Sequence, residues 1–405
     1  MTETRVPKGS RVRLGAVDGD LRAEENVRID VDGRLVVTGT ARFDGNAEVD
    51  GDLQCRSFIS DDGTVRVHGN LIAEDSVHTR DGGLEVDGEF RARRADVDRG
   101  FRVQGAATAE EFEVGGILDG GSTLHATKVS VGGRFRLTGK LTAESVEAGG
   151  TVDVGDVELD TLEAGGLIHL NGGTVRRSIE VGGRFVADAP LTFGSLEAGG
   201  FAELKGDGKG GSLDVGGVFS AHGNLTFSKL EVGGMGTIRG NADGETAEVG
   251  GKFDVGGSLH LTRTLEAGGF ISVGDELTGD RLELGGALSA RRAVFVSLAE
   301  IGGRVSTKEG LKAGRVVLQR KSRVSGPLVG GAVELEDRAR ADDVYGGSVE
   351  LGERTEVRRI YAARVRISSG SSVDEVTYTE SAEIDPGARL RTPPHKVDAL
   401  PAFPL

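Results

Sequence analysis

The sequence is poor in the residues that build most cross-links and sugar-binding grooves. It has no tryptophan, three tyrosines, eight prolines and one cysteine, Cys55, among 405 residues. A single cysteine excludes an intramolecular disulfide and is typical of a reducing compartment. Because ligand grooves are usually lined with aromatic rings, their scarcity disfavours a carbohydrate-active enzyme.

Long apolar runs are also absent. No uninterrupted apolar stretch approaches the roughly 20 residues that cross a bilayer, and residues 1–14 contain no apolar signal core. We therefore expect the protein in the cytoplasm, with filaments near the membrane as one arrangement.

The charge balance is acidic. Lysine and arginine total 49 against 64 aspartates and glutamates, which gives a formal net charge of −15. Negative charge disfavours nucleic acid and anionic membranes as direct partners. Membrane association is accordingly expected only through a partner or through a tail of the chain.

Glycine is abundant, with 67 residues, and much of it forms a repeat. Double glycines recur at intervals of 16 to 18 residues, most of them 17. They begin at Gly115, Gly132, Gly149, Gly165, Gly182, Gly199, Gly216, Gly233, Gly250, Gly268, Gly285 and Gly302. A fixed period of this kind indicates a solenoid, in which each unit buries its apolar face against the next. The glycines are expected to supply the permissive dihedral angles of corners.

Between double glycines, apolar residues recur in three pairs with one residue between the members of each pair. In one repeat the pairs are Phe135 and Leu137, Leu141 and Ala143, and Val146 and Ala148. Each pair has the spacing of a short strand with one buried face. Three strands and three corners in about 17 residues predict an all-β fold. The fold class is a single-chain right-handed parallel β-helix with triangular coils, the hand being the one that parallel crossovers prefer.

Stacked coils predict columns of equivalent side chains. One interior column should contain Phe135, Val152, Ile168 and Phe185. The three tyrosines, Tyr345, Tyr361 and Tyr378, are spaced 16 and 17 residues apart and are expected to stack near the C-terminus.

The repeat divides the chain into four segments. Residues 1–15 are expected to be a flexible N-terminal tail, and residues 16–302 the main β-helix. Residues 303–391 continue the helix with a variant repeat, marked by valines 16 or 17 residues apart at Val316, Val333, Val349 and Val365. Residues 392–405, which begin with Thr392-Pro393-Pro394, are expected to be a flexible tail because proline stops strand pairing.

The motifs for chemistry are weak. Residues 206–211 match G-x-G-x-x-G, but no helix pattern follows, so corner chemistry explains them better. No G-x-x-x-x-G-K-[ST] motif is present, and the seven histidines are scattered as solvated surface residues. We therefore predict no catalytic residues, no cofactor and no metal site: the protein is not expected to be an enzyme.

An acidic residue stands two places before almost every double glycine. Stacking should bring these carboxylates into one column, where like charges repel. One reading is a solvated ladder relieved by counterions. The other is that each carboxylate accepts hydrogen bonds from backbone N–H groups of its glycine corner. The column comprises Glu113, Glu147, Glu163, Glu180, Glu197, Asp214, Glu231, Glu248, Glu266, Glu283 and Glu300, with Ser130 the exception.

The 17-residue coils, the short tails and the V-x-[LI] strands of residues 316–367 resemble the bactofilins. That resemblance covers nearly the whole chain and implies a right-handed β-helical cytoskeletal protein that polymerises end to end without nucleotide. The chain is much longer than the usual bacterial members. In length and acidity it is closer to the archaeal relatives called halofilins.

The expected function is a polymer-forming scaffold that supports cell shape or positions partners, with other copies of itself as its main partner. An alternative is a non-polymerising adaptor that caps a related filament protein, and a carbohydrate-active β-helix enzyme comes third. The polymer contacts are expected in the end coils, at Val31, Leu35, Val37, Ile367, Val373, Val376, Tyr378 and Ile384. Docking on a partner is expected to use the apolar tail residues Leu400, Phe403 and Leu405.

Overall fold

In the computed structural model, which describes residues 2–403, the chain is all-β. Parallel strands about 17 residues apart stack into a β-solenoid of about 23 turns, which confirms the predicted fold class. The chain divides into two compact units after Gly200. Within residues 2–403 there is no helix with the length and apolarity needed to cross a bilayer.

Unit 1 contains the first twenty-one strands. They are β1 Glu3–Val6, β2 Arg11–Val17, β3 Asp20–Ala23, β4 Val27–Phe43, β5 Ala47–Val67, β6 Leu71–Val86, β7 Phe90–Arg91, β8 Arg94–Val97, β9 Gly100–Val103, β10 Ala107–Thr108, β11 Glu111–Val114, β12 Ile117–Gly120, β13 Leu124–His125, β14 Lys128–Val131, β15 Arg134–Leu137, β16 Leu141–Thr142, β17 Ser145–Ala148, β18 Thr151–Ala164, β19 Leu167–Val181, β20 Arg184–Ala187 and β21 Leu191–Ala198.

Unit 2 contains the other twenty-one. They are β22 Phe201–Leu204, β23 Gly208–Val215, β24 Val218–Ala221, β25 Leu225–Thr226, β26 Lys229–Val232, β27 Met235–Ile238, β28 Ala242–Gly244, β29 Thr246–Val249, β30 Lys252–Val255, β31 Leu259–Leu261, β32 Thr264–Ala267, β33 Phe270–Leu284, β34 Ala287–Ile301, β35 Arg304–Leu318, β36 Arg323–Ser325, β37 Leu328–Leu335, β38 Arg340–Leu351, β39 Glu356–Ile367, β40 Ser372–Ile384, β41 Arg389–Leu390 and β42 His395–Lys396.

Each coil has three faces, which one coil of unit 1 illustrates. Face A is the strand before the double glycine (β11), face B the strand after it (β12) and face C the short third strand (β13). Each strand pairs in parallel with the equivalent strand of the coils before and after it; β11, for example, lies between β8 and β14. Some longer strands, such as β18, bend through all three faces without interruption.

The interior consists of the predicted columns. Phe135 pairs with Val152, Val152 with Ile168 and Ile168 with Phe185 in successive coils, and all four are completely buried. Apolar burial stabilises a fold by roughly 25 cal/mol per Å², and in a solenoid every additional coil adds the same increment. The predicted interior column is therefore confirmed.

The double glycines are required for a different reason from the one expected. None of the glycines in these pairs that the structure assigns a left-handed backbone is found; the left-handed glycines lie elsewhere, for example at Gly33 and Gly173. Instead, a Cβ atom on Gly269 would overlap the carbonyl oxygen of Gly251, and one on Gly286 would overlap that of Gly269. The corner glycines thus allow successive backbones to approach closely.

A second corner device, which the sequence analysis did not identify, is a ladder of side-chain amides and carboxylates. The backbone N–H of Asn224 donates to Asp207 Oδ1 (2.8 Å), that of Asn241 to Asn224 Oδ1 (2.9 Å), and that of Ser258 to Asn241 Oδ1 (2.9 Å). Each side chain satisfies a corner N–H of the next coil, which would otherwise lack a backbone partner. Asx residues at a fixed repeat position are the signal that could have identified it.

The solenoid begins earlier than the sequence predicted. Residues 1–15 were expected to be a flexible tail, but β1 pairs with β3 and β2 pairs with β4. Val6 is buried although no double glycine marks its coil. The predicted boundary at residue 302 does not interrupt the ladder either, because Ala287, Arg304 and Arg323 pair in successive coils.

Replacing Gly269 with alanine should destabilise unit 2, because the added methyl group would collide with the Gly251 backbone. We expect a loss of about 1–3 kcal/mol in the free energy of unfolding, measured as a lower denaturant midpoint of the β-sheet circular dichroism signal. Gly268→Ala is the matched control, since nothing lies within 4 Å of a Cβ there. Equal effects of the two substitutions would contradict the close-approach explanation.

The Cys55 thiol should be chemically inert in the folded protein. Its side chain is buried, and burial raises the pKa of the thiol to about 12. At pH 8 we expect labelling by a thiol reagent to be roughly a thousandfold slower than for an unperturbed cysteine, and fast labelling after addition of denaturant. Fast labelling under native conditions would show that this coil is open.

Candidate functional site: the two ends of the solenoid

The N-terminal end of unit 1 exposes the backbone edges of β1 and β2. The inner edge of β1 pairs with β3, from Glu3 against Asp20 to Val6 against Ala23. Among residues 2–403, no strand pairs with the outer edge of β1 or β2. Unpaired edges of this kind are templates for another strand.

The C-terminal end of unit 2 is partly covered by the last residues of the chain. Face B of β40 is covered by β41, where Ser372 and Val373 pair with Arg389 and Leu390. Its face C is covered by β42, which pairs with Thr377 and Tyr378. Face A of β40, residues 381–384, has no strand on its outer edge among residues 2–403. The last coil therefore lacks a face A strand.

The two ends are complementary in this respect. The first coil begins with a face A strand, β1, and the last coil ends without one. Ala382 and Ile384 point toward the interior at the open edge and are only half-buried, whereas the equivalent residues one coil earlier, Val365 and Ile367, are fully buried. An added face A strand would bury both side chains.

The C-terminal segment is docked, not free. Residues 392–405 were expected to form a flexible tail, but the N–H of Val397 donates to the carbonyl of Tyr378 (2.9 Å) and β42 continues the ladder. Phe403 lies edge-on to Tyr345, with ring centroids 5.9 Å apart. Proline cannot donate to the ladder, but here Pro393 and Pro394 occupy a corner, where no ladder bond is required of them.

Of the residues predicted to dock a partner, Phe403 thus contacts the chain itself, although its side chain remains 46% exposed. Leu400 is half-buried. Leu405 lies outside the described residues. Docking on a partner stays a prediction for these positions.

The tyrosine column contains two members. Tyr345 and Tyr361 stack with ring centroids 5.0 Å apart and planes at 15°. Tyr378 does not follow them, because a register shift after Ala362 aligns Thr377 with Tyr361 and Tyr378 with Ala362. Equal spacing along the sequence did not reveal this irregularity.

Asp343 anchors the strands that carry this stack. Its carboxylate accepts hydrogen bonds from Arg358 (3.0 and 2.7 Å) and from Arg359 Nε (2.9 Å). Burial disfavours the charged carboxylate, but the hydrogen bonds from Arg359 and Arg358 outweigh that penalty and hold the pKa of Asp343 below its ordinary value. Burial, together with the charge of Asp343, raises the pKa of Tyr345.

Most of the predicted polymer contacts lie inside the solenoid. Val31 and Val37 pair with Leu14 and Val17, so β2 covers them, and Leu35 in the same coil is fully buried. At the other end Ile367, Val373 and Val376 are buried, and Tyr378 is covered by Lys396. Only Ile384 lies at an open edge. The contacts were assigned one coil too far inward because β1, β41 and β42 lack the glycine marks of the repeat.

The acidic column exists, but the proposed hydrogen bonds to the glycine corners do not. Glu147, Glu163, Glu180 and Glu197 are aligned in successive coils. The corner N–H groups donate to backbone carbonyls of the preceding coil, as from Gly149 to Val131 (2.9 Å) and from Gly182 to Ala164 (3.2 Å). The hypothesis that the carboxylates accept these bonds was wrong, because the ladder already uses the donors.

Several histidines lie in carboxylate pairs and not in open solvent. His169 is held between Asp153 (2.9 Å) and Asp188 (3.0 Å), and His68 contacts Asp87 (2.8 Å). The hydrogen bond from Asp153 is the main cause that raises the pKa of His169. Within residues 2–403, no group of three His, Cys, Asp or Glu side chains is placed to hold a metal ion.

Comparison with known proteins adds no further assignment: no family model, no curated protein and no solved structure matches the chain.

Replacing Asp343 with asparagine should destabilise the C-terminal coils in a pH-dependent way. A carboxylate whose pKa is depressed by folding stabilises the protein above its unfolded pKa of about 3.9 and loses that contribution as the pH falls through the folded value. We expect Asp343→Asn to cost about 1–3 kcal/mol at pH 7 and progressively less below pH 4. Asp374→Asn, whose carboxylate is 3.8 Å from Arg391 and half-exposed, is the control and should cost little. A pH-independent loss would exclude the charged Asp343 as its cause.

Proposed function

We propose that the protein is a structural scaffold that assembles end to end without nucleotide. The observation that carries this proposal is the complementarity of the ends: one has an unpaired face A strand, and the other lacks that strand. In the assembled state β1 of one copy occupies the open edge of β40 in the next. The parallel ladder then continues from one chain into the other.

The residues at the two edges fit such a junction. With β1 laid in parallel along residues 381–384, Thr4 follows Ala382 and Val6 follows Ile384 in the interior columns. Arg5 then lies beside Glu383 on the outer surface. Opposite charges at paired positions of adjacent strands are favourable, whereas like charges are not. The rest of the first coil, β2, would stack on β41 and β42.

The resemblance to the bactofilins supports the same function, and we propose the cytoplasm as its compartment. A second candidate is an adaptor that caps a related filament. The coverage of faces B and C by β41 and β42 favours it, because a covered edge restricts the addition of a further chain. The uncovered face A edge distinguishes the two: an adaptor that only ends filaments would not need it.

The junction can be tested by charge reversal in the full chain. We expect Arg5→Glu and Glu383→Arg each to raise the critical concentration for assembly about tenfold, equivalent to about 1.4 kcal/mol. The double variant should recover most of the loss, because the pair is restored with opposite polarity. Assembly would be followed by light scattering and negative-stain electron microscopy without nucleotide.

Glu375→Arg, in the same coil but on face C, is the matched control and should assemble like the wild type. Single particles of wild-type protein at all concentrations would favour the adaptor. Filaments that are indifferent to all three substitutions would show that the chain polymerises through another surface.

A further inference from the structure

A groove of about 740 Å³ on the surface of unit 2 combines bare glycine corners with a cluster of cations. It runs along the corner between faces A and B of successive coils. No aspartate or glutamate is among the residues that line it. On a chain with a net charge of −15, this is an unusual concentration of positive charge.

The cations form two columns. Arg304, Arg323 and Arg340 pair in successive coils on face B, and we call them the cation column. Lys321 and Arg338 project from the adjoining corner, where both have left-handed backbones (φ 67° and 62°). Arg340 pairs with Glu356 (3.0 Å). The other four have no carboxylate oxygen within 4.0 Å in the described part of the chain.

The surroundings of the cation column are also free of carboxylates. In the two preceding coils its positions are occupied by Ala287 and by Phe270, whose side chain is 59% exposed. The neighbouring outward column on face B is formed by serines in four successive coils: Ser272, Ser289, Ser306 and Ser325. Like charges about 4.8 Å apart repel, and nothing on this face relieves them. An anion from outside the chain would.

Unit 1 carries the opposite arrangement on face A. Four exposed glutamates in successive coils have no cation within 4.0 Å among residues 2–403, and we call them the acid ladder. The neighbouring outward column consists only of hydroxyl residues, Ser145, Thr161, Ser178 and Ser195. The acid ladder comprises Glu147, Glu163, Glu180 and Glu197.

We propose that the groove of one copy binds the acid ladder of a second copy, side by side. Both surfaces present one charge per coil, so their charges share one pitch of about 4.8 Å. Next to each charged column lies a hydroxyl column, about 7 Å away in both cases, so the smaller side chains meet as the charged ones do. Complementary charge at matched spacing selects the partner and the register.

The exception in the acidic column indicates the direction of this pairing. When the cation column faces the last three glutamates of the acid ladder in parallel, the residue opposite Phe270 is Ser130, the only position in that column without an acid. The exposed ring then meets a small hydroxyl residue and not a carboxylate. The two surfaces differ, so the contact is heterologous and can be repeated from copy to copy.

This inference does not rest on end-to-end assembly, because neither surface includes a terminal coil. It is tested by disulfide cross-linking between two preparations of the full chain, one carrying Ser178→Cys and the other Ser306→Cys. We expect at least tenfold more heterodimer than with Ser178→Cys and Thr192→Cys, since Thr192 is exposed on face C. The yield should fall in 1 M salt, where the Debye length is about 3 Å.

Charge reversal provides the specific control. In the Ser178→Cys chain, Glu163→Lys, Glu180→Lys and Glu197→Lys should reduce the yield to the control level. It should be restored when the Ser306→Cys partner carries Arg304→Glu, Lys321→Glu and Arg323→Glu. The same number of reversals at exposed corner positions (Glu74→Lys, Glu110→Lys and Glu144→Lys) should have little effect. The Arg5→Glu substitution, which addresses the ends, should leave the yield unchanged.

Cross-linking no higher than the face C control, or unaffected by reversal of the acid ladder, would overturn the proposal. So would wild-type chain that binds phosphatidylserine vesicles through Arg304, Lys321 and Arg323 while showing no cross-link, since the groove would then be a lipid site. Recovery of the cross-link only when both surfaces are reversed would establish the pairing.

Discussion

The close approach of successive coils, sealed by a parallel hydrogen-bond ladder, is the constraint on which this structure depends. It requires glycine where one backbone passes over another, as at Gly269 over Gly251, and uses the corner N–H groups as ladder donors. Each coil is satisfied only by the coils on either side of it. The first and last coils are therefore the places where backbone groups and apolar side chains are left without partners.

The same stacking determines the distribution of charge. Outward positions repeat in columns, so one choice of residue is multiplied along a face. In parts of unit 1 the columns alternate in sign, as where Arg28 lies 3.1 Å from Glu48 and 2.8 Å from Asp50. In the acid ladder and the cation column they do not. A solenoid can thus carry strongly charged strips of both signs, which a net charge of −15 averages away.

The period, the three faces and the interior column of Phe135 could be predicted because they depend on residues that alternate locally. The ends could not, because β1 and β42 continue the ladder without its glycine marks, and a strand is recognised there only by its neighbour. Tyr378 was misplaced for a related reason: a one-residue register shift leaves no trace in the spacing. The acid ladder was visible in the sequence, but its hydrogen-bond partners depended on which donors the ladder had already used.

The account's central claim, coils stacked in register, is tested most directly by distances between spin labels on one outward column of unit 1. Labels at Ser195 and Lys128 are four coils apart, and labels at Ser195 and Arg94 are six coils apart. At about 4.8 Å per coil, electron–electron resonance should give backbone separations of about 19 and 29 Å. Separations that do not increase by a constant step per coil would contradict the stacked arrangement.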